Sequence, residues 1–211
     1  MGWASKGFDE AEAQVAANQQ NFTRDFFFKT GEDVNFRMLD DEPVNIRDHF
    51  IMGKGWFTCI QGIDDEVCPL CEAGNKATNH FVFNVFDPRE YTKKNGDKVT
   101  EGQIKLWRVG ITLLRMLNKK RSLYGPLSSL QFEISKMGQG QSTAYNIEAV
   151  AAKKAPKIPE GQEPYDLMEV LAPKSRKELL AILNNTATTS APVDDADDDD
   201  DDDDDIDWKK S

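Results

Sequence analysis

Every cysteine of this 211-residue chain lies within residues 59–71, and with a histidine upstream they form the pattern H-x9-C-x8-C-x2-C: His49, Cys59, Cys68 and Cys71. Thiolate sulfur and imidazole nitrogen are the ligands that tetrahedral Zn²⁺ takes. The C-x2-C pair lets two sulfurs approach one ion from a single turn, and Pro69 suits the first position of a short helix starting there. With all four positions filled by protein, such a zinc would staple a loop and would not activate water. The competing reading, a redox pair, needs a βαβ setting that the flanking residues do not offer. His80 is the second candidate for the imidazole. His49 is preferred because it stands on the same side of the cysteines as the segment that must fold back, whereas His80 opens the strand-like run FVFNVF.

A second constellation lies further on. Residues 89–157 hold 14 Lys plus Arg against five Asp plus Glu, in a chain whose net charge is -11. Cations track phosphates without sequence preference, and aromatic rings stack on unpaired bases. The candidate nucleic-acid contacts are Lys54, Trp56, Phe83, Tyr91, Lys93, Lys94, Lys105, Trp107, Arg108, Lys119, Lys120 and Arg121. Alternation along residues 104–109 puts Lys105, Trp107 and Val109 on one face and Ile104, Leu106 and Arg108 on the other. For any single ring in this set, a place in the core is at least as good a reading as a stacking role.

Elements must position these groups. Alternation in Val34, Phe36, Met38, in Phe81, Phe83, Val85 and in Leu130, Phe132, Ile134 predicts half-buried strands. Asn95-Gly96-Asp97 predicts a hairpin turn between a strand ending near Asp87 and one starting at Ile104. Ile111, Leu114 and Leu117 recur at helical spacing, with Gly125-Pro126 as a stop. The expectation is a mainly β, OB-fold-like five-stranded barrel at residues 23–150, with a zinc-binding insertion at 49–80 and a few short helices. A thin amphipathic arm precedes it at 1–22. A Pro and Lys linker with a helix near 175–183 follows at 151–184, then an acidic tail at 185–211.

That tail holds 12 Asp in the 14 residues 194–207, and without it the chain is near neutral. Such composition predicts disorder. Ile206 and Trp208 place two large apolar side chains at its tip, a candidate partner-binding motif, and the tail is long enough to reach the chain's own basic groove and compete there with nucleic acid. No apolar stretch approaches the roughly 18 residues of a membrane span. The amino terminus lacks the features of a secretory signal, so a cytoplasmic location is expected.

In the order H, C, C-x2-C, the basic aromatic middle and the acidic tail, the chain resembles the helix-destabilising, single-stranded-DNA-binding proteins of T-even-like tailed phages. Lys119-Lys120-Arg121-Ser122 is similar to a basic, hydroxyl-bearing segment used near that family's DNA groove. The resemblance implies a non-enzymatic protein with one structural Zn²⁺. It would coat and protect single-stranded DNA during phage replication, recombination and repair in the host cytoplasm, and recruit replication and recombination proteins through its tail. It also implies self-association on DNA through a basic arm, but residues 1–22 here carry one Lys and three acids. Two alternatives stand beside it. One is an acidic-tailed DNA mimic or chaperone-like protein that binds basic proteins. The other is a metal-dependent nuclease using Asp64, Asp65 and Glu66, which crowd a loop with nothing to fix their geometry.

Overall fold

The computed structural model describes residues 25–63, 65–92, 98–138, 143–150 and 157–184. The arm, most of the 151–157 linker, the hairpin tip with Lys93 and Lys94, and the tail with Ile206 and Trp208 lie outside the described residues, as does the side chain of Tyr91. The strands are β1 (Asp33–Met38), β2 (Val44–Ile51), β3 (Gly55–Thr58), β4 (Thr78–Asp87), β5 (Tyr91–Thr92), β6 (Lys98–Val99), β7 (Gln103–Val109), β8 (Gln131–Met137) and β9 (Ala144–Val150). The helices are α1 (Pro69–Glu72), α2 (Ile111–Tyr124), α3 (Leu167–Val170) and α4 (Arg176–Asn184).

The chain is mainly β and antiparallel, but the five-stranded barrel needs correction. One seven-stranded sheet runs β3-β2-β4-β1-β8-β9, with β7 on the other edge of β4, and no pairing among the described residues closes it. The reason lies in β4. Its ten residues exceed what one neighbour per edge can use, so β2 takes Thr78–Val82 while β1 pairs at Val85 and Phe86 along the same edge. The opposite edge, Phe81–Asp87, pairs wholly with β7. The expected turn between these two strands extends through the small β5–β6 ladder. Gly102 begins the return: its φ is +72°, and a Cβ there would stand 2.6 Å from the Asp87 carbonyl oxygen, so a side chain would force the strands apart.

Alternation is obeyed where one face is wet. Val34, Phe36 and Met38 are buried with Phe132 and Ile134 in a core that also takes Phe83, Trp107, Val109, Leu113 and Leu117. In β4, by contrast, every residue from Val82 to Asp87 is buried. Its second face is covered by α3, where Val82 and Leu106 meet Leu167 and Leu171, so the run reads as a strand buried on both sides and not as a half-buried one. Helix α2 ends at the expected Gly125 stop, and its inward residues are Leu113 and Leu117; Ile111 is exposed. Helix α4 starts at a capping box in which Glu178 accepts from the backbone N–H and hydroxyl of Ser175.

Candidate metal centre and aromatic face

The turn Met52-Gly53-Lys54-Gly55 folds β3 back on β2, pairing His49 with Phe57. Cys59 follows β3 directly and is tied back by its N–H to the Arg47 carbonyl at 2.8 Å. Cys68 caps α1, Pro69 opens the helix, and Cys71 lies within it. Three elements thereby bring His49, Cys59, Cys68 and Cys71 together, with all ligand atoms within 4.8 Å of one another. The Sγ atoms of Cys59 and Cys71 are 3.6 Å apart. His49 Nε2 stands 3.5 Å from Cys68 Sγ and 3.6 Å from Cys71 Sγ. A tetrahedron with arms of about 2.3 Å has edges of about 3.8 Å. These separations fit a single tetrahedral ion and exceed the roughly 2.05 Å of a disulfide bond.

The chemistry of the donor set agrees. His49 is fully buried, and its Nδ1 lies 3.2 Å from Asn75 Oδ1. Asn75 is oriented by its own donation to the Phe50 carbonyl at 2.9 Å. The amide oxygen can only accept, so Nδ1 carries the proton and Nε2 turns its lone pair to the sulfurs. Burial raises the Cys68 thiol, but the backbone N–H groups of Cys71, Ile60 and Leu70 outweigh it and leave its pKa lowered. Burial, and then the neighbouring Cys59 and Cys68 sulfurs, push Cys71 up to about 12. Three sulfurs in one pocket cannot share negative charge without a cation, and a divalent ion supplies it. The cluster could hold a metal such as zinc. His80 is not part of it: its Nδ1 is 2.6 Å from the buried carboxylate of Asp48.

Most of the predicted nucleic-acid contacts are placed elsewhere than expected. Phe83 and Trp107 are 1% and 3% exposed. Trp107 packs edge-on against Phe36 at 4.9 Å and Phe26 at 5.8 Å. Neither ring offers a face to a base. Lys105 and Arg108 point to opposite sides of β7, as alternation requires, but each is paired: Lys105 with Asp87 at 3.0 Å, and Arg108 with Asp25 and with Asp48 at 3.0 Å. Lys120 meets Glu148 at 2.6 Å and Arg121 meets Glu42 at 2.6 Å. Lys54 donates to the Ile182 carbonyl at 2.7 Å. Lys119 is exposed and forms no ion pair among the described residues.

Among the described residues, five cations of the 89–157 window, Arg89, Lys105, Arg108, Lys120 and Arg121, are engaged in ion pairs. Their partners are acids drawn from earlier segments, Asp25, Glu32, Glu42, Asp48 and Asp87, with Glu148 from inside the window. Asp87 shows the balance: burial works to raise its carboxyl, but Arg89 and Lys105 prevail and hold it below the ordinary range. For Asp25 the balance falls the other way, since burial outweighs Arg108 and raises it.

One predicted ring does face outward. Trp56 is half-buried, 5.0 Å from the exposed Phe50 across the β2–β3 ladder and edge-on to His80 at 4.9 Å. The Arg108 guanidinium lies over it at 5.6 Å. Beside it is a recess of about 220 Å³ lined by Asp25, Trp56, Thr58, Arg108, Leu171 and Lys174, among others. Phe50, His80, Asp48 and Asp25 were missed in the sequence. The alternation of Val44 and Ile46 ahead of Asp48 and Phe50, followed by the Gly53 turn, is the signal that places Phe50 beside Trp56.

No protein-family model, curated protein or solved structure matches the chain. No described helix is long and apolar enough to cross a membrane. Asp65 and Glu66 are exposed and belong to no metal-ligand group among the described residues; Asp64 lies outside the described residues.

Proposed function

We propose that this chain binds single-stranded nucleic acid without sequence preference, as a coat protein of phage DNA replication, recombination and repair, and that its His49, Cys59, Cys68 and Cys71 cluster holds one structural Zn²⁺. Catalysis has no part in this reading. The observation that carries it is Trp56, flanked by Phe50 and overlaid by Arg108 beside an open recess. A ring in that setting can receive a base, and a base exists as a free flat ring only in an unpaired strand. The recess is smaller than the roughly 300 Å³ at which enclosed ligand pockets begin, which suits a stacking surface better than a small-molecule site. A curled antiparallel sheet interrupted by α2 is compatible with an OB-like body whose closure is incomplete.

The binding face is then the Trp56 side of the sheet, with the exposed Lys174 as its cation and with Arg108, already matched by Asp25 and Asp48, ordering the Trp56 ring. The acidic tail, carrying Ile206 and Trp208, would compete for this face and engage replication proteins when displaced. Titration with oligo-dT against duplex of equal length tests the reading. Preference for dT with quenching of tryptophan emission supports it. Equal affinity for both, or binding to basic proteins alone, would favour the DNA-mimic or chaperone-like alternative.

A further inference from the structure

Residues 162–184 do not leave the fold as a linker; they cross it. Gln162 donates to the Gly102 carbonyl at 3.1 Å and accepts from the Ile104 N–H at 3.2 Å. The buried Asn84 holds both backbone groups of Tyr165, at 3.0 and 3.1 Å. Thr58 donates to the Leu171 carbonyl at 2.7 Å. The chain then passes Lys174 and enters α4, whose fully buried Leu179 packs with Ile51, Phe57, Cys59, Cys68 and Leu70. Arg176 pairs with Glu72 at 2.7 Å and donates to the Val67 carbonyl.

We infer that this segment is a strap fastened at its far end by the metal lobe, so that occupancy of the Cys₃His site sets whether the wall of the Trp56 recess stays in place. Arg176, Leu179 and Ile182 of α4 meet residues within 51–72, the segment that carries three of the four ligands. That lobe holds little regular structure: α1 is four residues long, and the described residues between β3 and α1 form turns and loop. Without the ion, three sulfurs and an imidazole have no reason to converge, and the socket for Leu179 opens. The strap's near end keeps its attachments to β4 and β7, which need no metal. Of the strap residues that line the recess, Leu171 is held at the near end by Val82, Leu106 and Thr58, and Lys174 lies between that anchor and α4. The consequence for nucleic acid rests on the function proposed above; the coupling of metal to α4 does not.

The coupling is read on the full chain by amide hydrogen exchange, zinc-loaded and after removal of zinc with a chelator. Exchange should rise about tenfold or more over Arg176–Asn184, with Gln131–Met137 and Ala144–Val150 unchanged. Unchanged protection of α4 overturns the inference, and so does an equal rise across β8 and β9, which would mean that the ion holds the whole sheet. The reverse direction is tested by Leu179→Ala, which leaves all four ligands in place and removes only the side chain packed against them. By reciprocity it should weaken zinc affinity several-fold in equilibrium competition with a colorimetric chelator, and an unaltered affinity also overturns the inference. Oligo-dT titration of the same samples separates the two claims. Intact coupling without dT binding removes only the functional reading; dT binding without coupling removes only the strap.

Discussion

Replacing Trp56 and Trp107 by alanine, one at a time, should break two different properties. Trp56 contacts Phe50, His80 and Arg108 from an end strand of the sheet and is half-buried. Its loss removes one stacking surface, which is about 1–3 kcal/mol per base, or roughly 5- to 150-fold in affinity for oligo-dT. Trp107 is 3% exposed, with Phe26 and Phe36 against it. Its truncation leaves a cavity in the main core and costs about 3–5 kcal/mol of stability, which lowers Tm by roughly 6–20 °C for a protein of this size. Fluorescence anisotropy with labelled dT and thermal melting monitored by circular dichroism measure the two. The reasoning fails if Trp56→Ala binds dT like the parent, or if Trp107→Ala loses affinity while melting normally, because the stacking ring would then be the one assigned to the core.

The metal centre should bind one zinc per chain by elemental analysis, and Cys68→Ser should abolish it while His80→Ala leaves it intact; the converse would reassign the imidazole. Asp87→Asn should cost about 2–3 kcal/mol near neutrality, discounted because Arg89 is partly exposed. Because the folded carboxyl of Asp87 lies below its unfolded value, its contribution is present above the ordinary pKa of 3.8 and lost as pH falls through the lower folded value. Urea midpoints at pH 5 and pH 2.5 should therefore differ less in the variant than in the parent. Lys119→Gln should reduce the salt slope of dT binding by about 0.7 if that side chain meets a phosphate. Lys120→Gln should change it less, since Glu148 already neutralises Lys120.

The metal cluster was legible because ligand identity and local spacing nearly define it: three cysteines have few other reasons to sit within one turn and a loop of each other. The nucleic-acid face was not, because charge segregated along the chain need not be segregated in space. The acids opposite Lys105, Arg108 and Arg121 arrive from Asp87, Asp25, Asp48 and Glu42, through strand pairings that no local pattern encodes. Trp107 illustrates the same limit. Its alternation with Lys105 was read correctly, but a lysine on that face marked a buried ion pair and not solvent. The strands at Phe36 and Phe132 were readable because one side of each is wet, and β4 was misread because both of its sides are dry.

Because β2, β1 and β7 all lean on β4, that strand is a keystone. A proline at Phe83, which pairs with Trp107, would interrupt the β4–β7 ladder, while β1 and the strands beyond it join β4 through Arg37–Phe86 and Met38–Val85. Calorimetric and van't Hoff enthalpies of the zinc-loaded chain should coincide. In the proposed function, flexibility in handling a long polymer would come from the C-terminal fastening that crosses the sheet.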